Sequence, residues 1–133
     1  MRNILVVYPA FSMIFLTFVL YVKNRLDAGR AYKLKEIDPL YFKTYTGNSP
    51  SYLEASRQTL KNQFELPVIF YFLTILIYSL DNISIFEILV CWCFSISRYV
   101  HAYIRLSSNY VPYRAKIFTF GFIMIFILFL SAL

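Results

Sequence analysis

Three ionisable side chains, Glu65, Arg98 and His101, stand inside or at the edge of long apolar runs. An ionised group at membrane depth costs several kcal/mol, so each needs a partner or a use. Gln58, Asn62 and Glu65 fall at i, i+4 and i+7, on one face of a helix; Arg98, His101 and Arg105 fall at i, i+3 and i+7 on one face of another. Guanidinium, imidazole, amide and carboxylate groups gathered this way can clamp carboxylates, hold an anion or carry a proton. With Arg25 at the end of the first helix and Arg114 at the start of the last, the two stripes predict a basic, hydrogen-bonding funnel suited to a small anion. Glu65 and Arg98 would sit at matching depth, ~5 to 10 Å below the surface, which predicts an ion pair across antiparallel helices.

Plainer roles compete with these. Lys61, Arg105 and Lys116 can snorkel to an interface, His101 can be a hydrogen-bonded bundle residue, and the Glu65–Arg98 pair can simply lock two helices together. Metal chemistry fails on inventory: one histidine and the cysteines Cys91 and Cys93, two positions apart and pointing to nearly opposite sides of a helix, cannot furnish a closed site. The cysteines read as packing residues that cannot bridge each other. Three glycines leave no phosphate-cradling loop, and no Ser-His-Asp arrangement can be argued.

The elements that would carry these residues follow from hydropathy. In 133 residues, 59% are hydrophobic and 20% aromatic, with a mean hydropathy of +0.59, more apolar surface than one soluble domain of this size can hide. Runs at Ile4–Val22, Leu66–Leu80, Ile83–Ile104 and Ile117–Leu133 approach the ~20 residues that cross a ~30 Å hydrocarbon core. Lipid offers no partner to an open sheet edge, and alternating segments are too few for a barrel. The expectation is an all-α integral membrane four-helix bundle, left-handed and up-down, a single domain over 1–133 with helices about 4–25, 51–80, 84–106 and 112–132. The first run is longer than a signal-peptide core and no small-residue cleavage pattern follows Val22, so it reads as a retained span.

Basic residues set the orientation. Lys23, Arg25, Arg30, Lys33, Lys35, Lys43, Arg57 and Lys61 lie in the first connection; Arg105, Arg114 and Lys116 flank the third; only Arg2 lies opposite. The positive-inside rule then predicts loops one and three in the cytoplasm and both termini outside. The net charge of +6 is a topology signal on this reading, with no nucleic-acid partner.

Local signals mark the helix ends. Ser51 to Glu54, behind Pro50, and Ser84 to Glu87 both read as capping boxes. Pro67 predicts a kink near the membrane surface with a freed acceptor close to Asn62, Ser107-Ser108-Asn109 ends the third helix, and Pro112 suits the first turn of the fourth. Asn82-Ile83-Ser84 matches a glycosylation acceptor, but in an Asp81-Asn82 turn against the bilayer it reads as coincidence.

At Asn62-Gln63-Phe64-Glu65-Leu66-Pro67, and again at Arg98-Tyr99-Val100-His101-Ala102-Tyr103, the chain resembles the MAPEG family of membrane-associated proteins in eicosanoid and glutathione metabolism. The resemblance is specific over 51–116, and NQFELPV and VHAYI are similar to the bacterial branch. It implies a homotrimer of four-helix protomers, with glutathione as co-substrate held near the cytoplasmic side and a lipophilic substrate arriving from the lipid; the abundance of Ile, Phe, Lys, Asn and Tyr points to a bacterial inner membrane. It also implies a transferase or peroxidase in which Arg114 stabilises the glutathione thiolate and Asn62, Glu65, Arg98 and His101 occupy the family's motif positions; with the funnel residues Arg25, Gln58 and Arg105 added to hold the peptide and His101 to assist the chemistry, they make up the expected site. Two positions differ from the family pattern. Gln58 replaces an arginine, with Arg57 one step off and turned about 100° away; Arg105 replaces a tyrosine, with Tyr103 out of register. Two other readings fit the residues: a non-catalytic scaffold or accessory subunit of the same fold, and a protein binding anionic lipid head groups.

Overall fold

The computed structural model describes residues 2–81 and 83–133, the side chains of residues 2 and 3 excepted. The Arg2 side chain and the Asn82 of the glycosylation tripeptide therefore lie outside the described residues. All the regular structure is helical. After a 3-10 turn at Arg2–Val6, α1 runs over Val7–Lys33, α2 is the single turn Tyr41–Thr44, and α3 covers Ser51–Lys61. A second 3-10 turn, Asn62–Phe64, leads into α4 at Leu66–Ser79, followed by α5 at Ile85–Leu106 and α6 at Val111–Ser131. Four stretches are long and apolar enough to cross a membrane: Ile4–Lys33, Ser51–Ser79, Ile85–Leu106 and Val111–Ser131.

Large apolar side chains such as Phe15, Phe18, Phe72, Ile75 and Ile96 point outward, as a surface solvated by lipid allows. The core lies between the helices: Met13, Leu16 and Leu20 of α1 meet Phe70, Leu73 and Ile77 of α4 and Val90, Cys91 and Phe94 of α5. Cys91 is buried and Cys93 exposed. A polar clasp ties α1 to α5: the Ser12 and Ser95 hydroxyls are 2.7 Å apart, Ser95 also donates to the Pro9 carbonyl, and Tyr99 donates to that of Ser12 at 2.7 Å.

Three local expectations change. Helix one does not end near residue 25 but continues to Lys33, because Ala31 packs with Ile37, Tyr41 and Leu53 in a small cluster beyond the spans. The Ser51 capping box does not form: Pro50 is the N-cap without a side-chain bond, and Glu54 instead accepts hydrogen bonds from Tyr41 and Ser49. Pro67 produces a full break rather than a kink, with Glu65 at φ −104 and ψ −106 between the 3-10 turn and α4. The Ser84–Glu87 box is complete, and Pro112 opens α6.

The tightest approach joins α5 to α6. A Cβ at Gly121 would lie 2.9 Å from the Ser97 hydroxyl oxygen, with Arg98 Nη1 and Phe94 each 3.7 Å away. Overpacking at such a point costs about 1–3 kcal/mol. Gly121→Ala is expected to lower thermal stability by that order, and adding Ser97→Ala should return most of it. A thermal melt of both variants in detergent checks this, and equal melting of Gly121→Ala and the parent would refute the close contact.

Candidate functional site

Two clefts open at the basic end of the bundle. The larger, about 670 Å³, lies among α1, α3 and the Asn62–Phe64 turn and includes Gln58, Asn62 and Glu65. The smaller, about 340 Å³, lies between α5 and α6 and includes His101, Arg114 and Phe118. Asn62 and Arg105 line both, so they form the ridge between them. Together the clefts have the size range of small-molecule sites.

Arg105 is the hinge of this arrangement. Its Nη2 donates to Gln58 Oε1 across α5 and α3, while its Nε is buried without a partner among the described residues. The two residues that depart from the family pattern are thus in contact. The guanidinium that helix two lacks at Gln58 is supplied beside it from α5. On the far side of the ridge, Arg114 is half-buried and donates from Nη1 to Asn109 Oδ1 at 2.7 Å. Asn109 takes φ +49 in the turn ahead of α6, where asparagine tolerates the left-handed region well. The turn residue therefore anchors the guanidinium at the mouth of the smaller cleft.

Behind that cleft sits Arg98, fully buried at 0% exposure. Its guanidinium carbon is 5.3 Å from the Phe118 ring centre, and its Nη2 is 3.3 Å from His101 Nδ1. Arginine only donates, so Nδ1 must be the acceptor and the ring proton sits on Nε2. The expected Glu65–Arg98 ion pair does not form. The break at residues 62–65 turns Glu65 outward into the larger cleft, where it is exposed, and the ion pairs among the described residues are Lys23–Asp27 and Glu54–Arg57. Arg98 Nε and Nη1 are left buried without partners among the described residues.

Because α1 continues past it, Arg25 is exposed and lines, with Tyr41, a recess of about 160 Å³ that adjoins the larger cleft and shares Tyr21, Asn24, Tyr45 and Arg57 with it; Arg25 itself borders neither cleft. Arg57 was the residue turned away by the 100° argument, yet it lines the larger cleft. Its guanidinium donates to the Tyr41 hydroxyl, lies 3.4 Å from Glu54 and sits 4.9 Å over the Tyr45 ring. Burial, the largest influence, raises the Tyr41 phenol above its ordinary value, so it remains a donor to Glu54 at neutral pH. Tyr41 and Tyr45, four apart in the loop, were the available signal for this clasp; a single-helix projection cannot see it. Lys61, treated as a snorkelling residue, lines the larger cleft as well.

Comparison with known proteins returned one finding: the model of the MAPEG family matches residues 4–133. No curated protein and no solved structure matches the chain.

Proposed function

The chain belongs to the MAPEG family, and from that premise we propose that it is a membrane-embedded, glutathione-dependent transferase or peroxidase acting on a lipophilic electrophile. Its basic end faces the cytoplasm of a bacterial inner membrane, both termini face outward, and three protomers associate. The observation that carries the reading is the ridge: Asn62 and Arg105 border both clefts, with Arg114 on one side and Glu65 on the other. One extended tripeptide can touch all four.

Glutathione brings two carboxylates, an ammonium and a thiol. Arg105, oriented by Gln58, takes a carboxylate, Asn62 holds the peptide backbone, and Glu65 takes the ammonium. Arg114 lies in the smaller cleft and stabilises the thiolate, each pKa unit of depression corresponding to about 1.4 kcal/mol. His101 presents its Nε2–H as a donor, and Arg98 is a positioning residue that fixes that tautomer. Arg25 stands at the rim, in the recess that adjoins the larger cleft. With an electrophilic carbon, the sulfur forms the C–S bond as the leaving group departs with its electron pair. With a hydroperoxide, the sulfur takes the terminal oxygen as the O–O bond breaks, and a second glutathione completes the disulfide.

Purified protein in detergent should convert a lipophilic aryl halide and glutathione to the thioether, or reduce a fatty-acid hydroperoxide at the expense of glutathione. Product is quantified by liquid chromatography. No glutathione-dependent product from either substrate class would overturn the enzymatic reading and leave the non-catalytic scaffold.

A further inference from the structure

From the larger basic cleft, a row of recesses follows the groove between α1 and α4. Immediately beyond Phe64 lies an apolar recess of about 260 Å³ walled by Ile14, Phe18, Val68 and Tyr71. It shares Phe64 with the larger basic cleft. At its other end it shares Ile14 and Tyr71 with a third, almost wholly apolar recess of about 530 Å³ that reaches Val7 and Tyr78. The three thus lie in line, each sharing wall residues with the next. One end of the track is charged and the remainder is hydrocarbon.

Length and charge identify the occupant. From Tyr21 to Val7 the track follows α1 for ~21 Å at 1.5 Å per residue, longer than one leaflet of a ~30 Å hydrocarbon core. Its polar end is bordered by Arg57, which Glu54 pairs, and by Lys61 and Arg105 against the carboxylate of Glu65, a net positive end that favours an anionic head group over a neutral one. At the junction, Gln63 is 2% exposed and lines the apolar recess, yet its Oε1 is buried without a partner among the described residues. An amide there, able to present an acceptor or, rotated, a donor, lies where the ester region of a lipid would fall.

We infer that the α1–α4 groove holds an anionic phospholipid, its phosphate between Arg57 and Lys61 and one acyl chain running past Phe64, Gln63 and Tyr71. Arg114 and His101 lie in the other cleft, while Asn62, Glu65 and Arg105 line this one; the titration is therefore run without glutathione, so that its outcome is independent of the proposed activity.

Delipidated protein in neutral detergent is titrated with dioleoyl phosphatidylglycerol or dioleoyl phosphatidylcholine and followed by native mass spectrometry and thermal melting. The phosphatidylglycerol adduct should persist at tenfold lower lipid and raise the melting temperature, whereas phosphatidylcholine should do neither. Val68→Trp and Ile14→Trp, each filling the groove, should lose the adduct. Lys61→Gln, and more fully Arg57→Gln with Lys61→Gln, should erase the preference between the two lipids. Circular dichroism of each variant reports its fold, so the exposed Lys61 and Val68 positions carry the test if the Arg57 variant unfolds. Equal retention of the two lipids by the parent overturns the inference, as does an adduct unaffected by both tryptophans. A photo-crosslinking residue at position 68 that captures a second copy rather than lipid overturns it too.

Discussion

On the proposed function, Arg114→Ala is expected to lower glutathione-dependent turnover by about 10²–10³, the usual consequence of removing one preorganised charge stabiliser. Arg114 is half-buried at the mouth of the smaller cleft and held by Asn109 at 2.7 Å, so its guanidinium is positioned before the ligand arrives. Its loss leaves the helix packing intact, because the side chain touches a turn residue rather than the core. The decisive readout is the pH–rate profile. Turnover needs the thiolate, so the rate rises with pH and levels off above the bound thiol's pKa. In the alanine variant that plateau should move up toward the free-thiol range of about 8.5. Arg114→Lys should recover part of the rate, restoring a point charge without the planar fork. An alanine variant with the parent's rate and profile would remove Arg114 from the chemistry.

Arg98→Met is expected to raise stability. Arg98 is fully buried, with two of its three nitrogens unpartnered among the described residues and no carboxylate within ion-pair distance. Replacing a buried, poorly compensated charge with a hydrophobic side chain of similar volume is often stabilising, by up to about 1–4 kcal/mol. The melting temperature in detergent should therefore rise. Turnover should fall, because His101 Nδ1 loses the donor at 3.3 Å that fixes its tautomer; a hydrogen bond of about 1 kcal/mol corresponds to roughly fivefold in rate. A stabilised but slower enzyme is the signature of a charge kept for function. A melting temperature lowered by several degrees would instead mean that Arg98 is well compensated where it lies.

These expectations rest partly on features legible in the sequence. Continuous apolar runs show where α1, α4, α5 and α6 lie because lipid imposes one solution on any such run. The Ser84–Glu87 box and the Pro112 start are local chemistry, complete within four residues of chain. Other parts depended on contacts that a helical projection does not contain. The last turns of α1 exist because Ala31 meets Tyr41 and Leu53, contacts across ten and twenty-two residues of chain. Glu54 carries the right spacing for a capping box but is taken by Tyr41 and Ser49. Glu65 was assigned the wrong direction: the 3-10 turn ahead of it changes the angle per residue, and everything extrapolated along an ideal helix past Asn62 is rotated. The same rigid projection dismissed Arg57, whose long side chain bends back over Tyr45 into the larger cleft. Residue types in the site were readable; their grouping into two clefts about the Asn62–Arg105 ridge was not.

That ridge can be interrogated by glutathione protection against heat. A ligand present at 100 times its Kd stabilises the folded state by about 2.7 kcal/mol, so millimolar glutathione should raise the melting temperature of the purified parent in detergent and leave Asn62→Ala with Arg105→Ala unmoved. A parent whose melting is indifferent to millimolar glutathione would contradict the reading, leaving the clefts as polar seams between membrane helices.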